Sequence, residues 1–167
     1  IGVGLVGSEM CIRDRGYLDH EYSDFTPTEA TSVQWANVDL SSMTVPFSPE
    51  LNVGIAATYS HDLSGGGSLT FNGSVHYQDE METQPYPADA QAAGVLRTKK
   101  YTQVEERTLV GAFVRWDSAD DSFNITAYGR NLTDERWRQS ANAVAGLWNF
   151  TRYAPPREMG IRIGYSF

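Results

Sequence analysis

The side chains best suited to hold a small ligand are Tyr86, Arg97, Trp137, Arg138, Trp148, Arg152 and Tyr153. Aromatic rings offer stacking faces, and Arg pairs bidentately with carboxylates. Lys99 and Lys100 extend the positive character around Arg97. All lie in polar stretches, where the same residues would also serve as solvated loop positions or interface aromatics. Covalent chemistry has fewer candidates. His20, His61 and His76 are far apart and lack metal-ligand spacing. Asp117, Asp120 and Asp121 lack the Gly and bidentate Glu of a calcium loop. Asp79, Glu80 and Glu82 have no evident acid–base partner, no Ser occupies a nucleophile elbow, and no Gly run is placed to cradle phosphate. Cys11 is the only cysteine, so the chain has no internal disulfide and no cysteine zinc site. Asn-x-Ser/Thr triplets start at Asn72, Asn124, Asn131 and Asn149, and two of them fall inside expected strands. The expectation is a protein that is not an enzyme and carries neither metal nor cofactor.

The elements that would position these residues alternate with period 2. Met159, Ile161, Ile163, Tyr165 and Phe167 oppose Glu158, Gly160, Arg162, Gly164 and Ser166. Strands point successive side chains to opposite faces, so this terminal segment has one apolar and one polar face. Leu51, Val53, Ile55, Ala57 and Tyr59 form a similar series, as do Leu69, Phe71, Gly73, Val75 and Tyr77. The Gly-rich DLSGGG turn between them predicts an antiparallel hairpin. Thr108, Val110, Ala112, Val114 and Trp116 share a face, with Leu109 and Phe113 as apolar exceptions opposite. After the DSADD turn, Phe123, Ile125, Ala127 and Gly129 align. Gly16–Phe25 is expected to be a further strand, with weak alternation.

Residues 26–49, 79–106 and 132–156 read as loops, so long and short connections alternate. Long loops of about twenty-five residues count against an ordinary compact soluble fold. In an up-and-down sheet they all project from one rim, the arrangement of outer-membrane barrels. Arg107, Arg115, Arg130, Arg162, Glu158 and His76 sit opposite the apolar series. Arg facing lipid near the midplane would cost ~2–4 kcal/mol, whereas Arg facing a wet lumen costs little. A half-solvated soluble sheet would show the same parity. The net charge of -8 argues against nucleic acid as a partner. No apolar run reaches the ~18 residues of a spanning helix, which leaves barrels open.

YGRNLTDERW at 128–137, Tyr153-Ala-Pro-Pro-Arg157 and the closing MGIRIGYSF resemble the carboxy-terminal end of a TonB-dependent outer-membrane receptor. Asn131, Leu132, Thr133, Asp134 and Glu135 match that family's motif, and Trp137 stands where it usually has Tyr. GYLDHEYSDF and VPFSPELNVGIAATY are similar to its late strands, so the resemblance covers residues 16–167. VGSEMCIRDR, by contrast, resembles a translated sequencing-adapter read, and residues 1–15 are expected to be a non-native leader. The resemblance implies an all-β, antiparallel, up-and-down transmembrane β-barrel. About six of its 22 strands would lie here, the plug that closes the lumen lying elsewhere. It further implies active uptake of a scarce ligand across the bacterial outer membrane: an iron–siderophore chelate foremost, or a vitamin or glycan. Its partners would be the TonB complex acting through the plug, outer-membrane lipid, and the barrel-assembly machinery reading Tyr165 and Phe167.

Two other readings remain open at this level. One is a soluble secreted β-sandwich that binds ligands with long loops. The other is an outer-membrane hydrolase with loop-borne Asp and His.

Overall fold

A computed structural model describes residues 8–26, 41–84, 102–144 and 148–166. The described chain is all-β. Its strands are β1 Ser8–Tyr17, β2 Leu51–Asp62, β3 Ser68–Gln78, β4 Met81–Glu82, β5 Gln103–Val104, β6 Arg107–Asp117, β7 Phe123–Arg130, β8 Arg138–Val144, β9 Trp148–Tyr153 and β10 Glu158–Tyr165. Six form one sheet in the order β1-β2-β3-β6-β7-β10, with every neighbour antiparallel. Two-stranded sheets β4-β5 and β8-β9 stand apart from it. The six-stranded sheet is open, so β1 and β10 are its edges.

The expected periodicity fits the observed register across five strands. Tyr59, Phe71, Val114, Ala127 and Ile161 form one cross-strand row. Ala57, Gly73, Ala112, Gly129 and Met159 form the next. Leu69, Trp116, Ile125 and Ile163 lie on the other side of the first row. Rows on the opposite face are mostly polar, with Leu109 and Phe113 as exceptions: Ser60, Thr70, Arg115, Thr126 and Arg162 make one of them. There Ser60 and Thr70 hydroxyls lie 3.0 Å apart, and Asn72 donates to the Thr58 hydroxyl at 2.9 Å.

The two short turns lie at one end of this sheet. In the first, Leu63 N–H donates to Gly67 O at 3.0 Å, and Gly67 has φ 83°. A Cβ there would collide with the Asp117 carbonyl, so the position requires glycine. In the second, Asp120 accepts from the Ser118 and Ser122 hydroxyls at 2.7 and 2.8 Å.

Three features differ from expectation. The first strand is Ser8–Tyr17 and not Gly16–Phe25, so residues expected to be a leader form most of β1. The ladder ends where Leu18 N–H donates to Glu50 O, and the weakly alternating residues after it stay outside the sheet. The parity of β1 is also inverted. Arg13 and Arg15 pair with Ile55 and Val53 in the apolar face, while Met10 and Ile12 face the polar side opposite Thr58 and Ala56. Finally, two of the long connections carry hairpins of their own, β4-β5 and β8-β9. The first is only two residues per strand and the second has a register shift at Arg138/Ser140, so neither shows a long period-2 pattern.

Candidate functional site

The molecule divides into an apolar sheet face, a polar sheet face and a rim at the long-loop end. On the apolar face Ile55, Phe71, Val75, Val114, Ile125, Met159, Ile161, Ile163 and Tyr165 are all exposed. Ile161 is the extreme, at 73%. From Leu69 to Tyr77 the series spans eight residue steps, or ~26 Å of strand at ~3.3 Å per residue. Aromatic residues stand towards both ends of it: Trp116, Phe123 and Tyr165 at the turn end, Tyr77 at the loop end. Trp116 and Phe123 pack edge to face at 6.1 Å.

The polar face carries a shallow cavity of about 320 Å³ over β3, β6, β7 and β10. Arg115, Arg130, Arg162 and Tyr128 line it. Arg115 is held by Asp117 at 2.6 Å. The Arg130 and Arg162 guanidinium groups lie 5.6 and 5.7 Å from the Tyr128 ring centre, and the Tyr128 hydroxyl donates to Glu158 at 3.2 Å. This is a charged, wettable surface with no acid–base pair of catalytic geometry among its described residues.

The rim holds the buried residues. Met43, Val104 and Ala141 are buried, together with Glu82, Thr83, Thr102 and Arg107. Thr83 Oγ1 lies 2.7 Å from Thr102 O and 2.8 Å from Ala141 O, tying β4 and β5 to β8. Arg107 stacks on Trp137 at 4.0 Å and donates to Gln78. Arg138 grips Glu105 through two of its nitrogens. Burial raises the Glu105 pKa, but the Arg138 hydrogen bonds and charge outweigh it and leave the group below the usual carboxylate range.

The rim therefore sorts the expected ligand contacts. Trp137 and Arg138 already have partners inside the chain. Trp148, Arg152 and Tyr153 lie on β9 and are exposed. Tyr86, Arg97, Lys99 and Lys100 lie outside the described residues, as does Phe167. Tyr165 pairs with Phe123 on the apolar face. Phe150 was not singled out in the sequence. It is 53% exposed, and it shares a face with Trp148 and Arg152 by strand parity. A sequence signal existed in that i, i+2, i+4 spacing, but it needs the strand assignment to be read.

The Asn131–Glu135 motif has a structural task. Asn131 takes φ 49°, a left-handed conformation that Asn tolerates better than most residues. Its side chain donates to Glu135 O at 2.8 Å and accepts from Glu135 N–H at 2.9 Å. Leu132 N–H donates to Val110 O, and the Leu132 side chain lies over Gly129, where any Cβ would displace it. Asp134 accepts from Arg157 N–H at 3.0 Å. The motif thus pins the two ends of the last long connection together, one residue before β10 begins. Arg157 completes it, donating to Leu132 O at 3.5 Å.

In comparisons with known proteins, no family model, no curated protein and no solved structure matches the chain. Among the described residues no His, Cys, Asp and Glu side chains group as metal ligands, and no helix is long and apolar enough to cross a membrane.

Proposed function

We propose that residues 16–167 are part of the wall of a transmembrane β-barrel of the TonB-dependent receptor class. The observation that carries this reading is the apolar face. Its residues are aligned row by row across β2, β3, β6, β7 and β10, yet most stay exposed. Contiguous exposed apolar surface on this scale needs a covering medium. A soluble sandwich would supply a second sheet. Among the described residues none covers the face, and Phe71, Val114 and Ile163 remain open. Acyl chains supply the same cover to a single-layered sheet, with aromatic residues at the two interfaces. The connections support the same assignment: both short turns lie at one end and all long connections at the other.

On this reading the wall encloses a wet lumen lined by Arg115, Arg130 and Arg162. The long-loop rim faces outward and captures a scarce small ligand, an iron–siderophore chelate foremost. The TonB complex energises uptake through a plug in the lumen, and the barrel-assembly machinery reads Tyr165 and Phe167. No covalent change to the ligand is involved. Fluorescent labels on single cysteines, in a Cys11→Ser background and in lipid vesicles, test the membrane assignment. Labels at Val75, Val114 and Ile163 should be quenched by spin-labelled acyl chains. Labels at Ser74 and Thr126 should respond instead to aqueous iodide. Quenching that ignores this parity would sink the reading.

A further inference from the structure

The cavity on the polar face has a lining at odds with the rest of the chain. The chain carries 21 acidic side chains against 13 lysines and arginines. Yet among the described residues Arg115, Arg130 and Arg162 line this cavity, and no Asp or Glu does. Arg115 and Arg162 both pair with Thr126, one from each neighbouring strand, so they flank it on either side. Arg130 lies further along β7 on the same face as Thr126.

The arginines converge. Strand spacing puts the Cα atoms of Arg130 and Arg162 ~14 Å apart. Their guanidinium groups nonetheless lie 5.6 and 5.7 Å from the same Tyr128 ring centre. The ring attracts both cations. Gly160 makes room for it: a Cβ there would lie 2.7 Å from the Tyr128 hydroxyl oxygen, so the side chain crosses β10 at a residue without one. Phe113, an apolar exception on this face, pairs with Tyr128 and also lines the cavity. Like charges gathered beside apolar rings repel one another more strongly than they would in open water. The neighbouring acids relieve this only in part. Asp117 takes Arg115, and Glu158 stands 3.9 Å from Arg130. Among the described residues Arg162 makes no ion pair.

We propose that this cavity is a binding site for a compact tetrahedral oxyanion with two negative charges, phosphate being the simplest. A carboxylate is filled by one guanidinium fork, whereas a phosphate presents oxygens to several at once. The site lies in the middle of the sheet, away from the long-loop rim, and it stands whatever covers the apolar face.

The probe is radiolabelled inorganic phosphate, measured by equilibrium dialysis against the full chain in maltoside micelles, which carry no phosphate of their own. Arg162→Gln should weaken binding about tenfold. Arg136→Gln removes an equal charge outside the cavity and should bind as the parent does. Glu158→Gln removes the competing carboxylate and should tighten binding several-fold, a gain that misfolding cannot produce. Sulfate should compete at constant ionic strength, and chloride should not. Glycerol phosphate is run beside inorganic phosphate. The tighter of the two tells whether the site takes the free ion or a phosphoryl group on a larger molecule. No binding, equal losses in Arg162→Gln and Arg136→Gln, no gain in Glu158→Gln, or competition by chloride would each overturn the site. The sheet labels described above report separately on the membrane. Phosphate binding without acyl-chain quenching leaves the site standing and removes the barrel, and the converse pattern does the reverse.

Discussion

At the rim, Val104 and Thr102 are fully buried. In the sheet, Ile163 is 65% exposed although it sits in a continuous row with Ile125, Trp116 and Leu69. The rim is built mostly from short strands, polar residues and hydrogen bonds, and it makes a small core of its own. The sheet has far more regular secondary structure, and apart from Leu132 over Gly129 its apolar side is left open in the described chain. Regularity and burial have come apart. An isolated sheet face of this kind gains little from the hydrophobic effect in water, because its apolar area has not left water. The rim draws stability from its own contacts, while the sheet depends on what surrounds it.

The sharpest way to break that contrast is to place the same charge on adjacent residues of β3. Val75 is on the apolar face between Ile55 and Val110, and Ser74 is on the polar face beside Gly111. In vesicles Val75→Arg should cost about 2–4 kcal/mol of unfolding free energy, depending on depth. Ser74→Arg should cost within about 0.5 kcal/mol of nothing. Urea titration of the two variants measures the difference. Equal, small costs would mean that Val75 faces water, and the two regions would then differ only in compactness.

Period 2 was legible wherever a strand had to separate two environments. Leu51–Tyr59, Leu69–Tyr77, Thr108–Trp116 and Met159–Tyr165 all keep the faces that their alternation implies. The first strand was misplaced because backbone pairing does not need matched side chains. Ser8–Tyr17 completes a ladder with β2 while putting Arg13 and Arg15 among apolar neighbours. A one-residue slip exchanges the two faces of a strand, and β1 has the register of pairing without the register of chemistry. The rim was the least legible part. Arg107 reads as one more polar-face cation, and only the fold brings Trp137 over it from thirty positions on. Thr83, Thr102 and Ala141 are unremarkable in sequence, and their contacts are between segments far apart in the chain. The terminal motif lay between these extremes. Its residues stood out, but their work as a clamp on Arg157 needed coordinates.

That clamp joins the two regions, since it ties the base of the last rim connection to the first rung between β10 and β7. Asn131→Ala would lose two hydrogen bonds and a residue suited to φ 49°. The expected cost is about 1–2 kcal/mol in the same urea titration. Asp134→Ala would free the Arg157 N–H and also place Ala at φ 55°, at about 1–2 kcal/mol together. Asp134→Asn keeps an acceptor and should cost less than the alanine. If β10 is held by its ladder alone, Asp134→Gly, which drops the acceptor but suits φ 55°, should match the parent.

The smallest expected effect lies at the opposite end of the sheet, in the turn between β6 and β7. The Ser118 hydroxyl donates to Asp120 first, with the Ser122 hydroxyl and N–H adding to it, and together they pull the Asp120 pKa down to about 2. A folded pKa below the unfolded value means that the carboxylate form favours the turn. This contribution is complete above the ordinary value of 3.8 and fades as pH falls through about 2. The group is fully exposed, so the turn should loosen locally while the ladders on either side persist. An NMR titration of the Ser122 amide should show a midpoint near 2 in the parent and no such step in Asp120→Asn. A midpoint at the ordinary carboxylate value would mean that the serines do not hold Asp120. The turn end would then be ordered by Asp121 in its left-handed conformation, by the Ser118–Phe123 and Asp121–Ser118 backbone bonds and by the Phe123 N–H donating to the Ser118 hydroxyl.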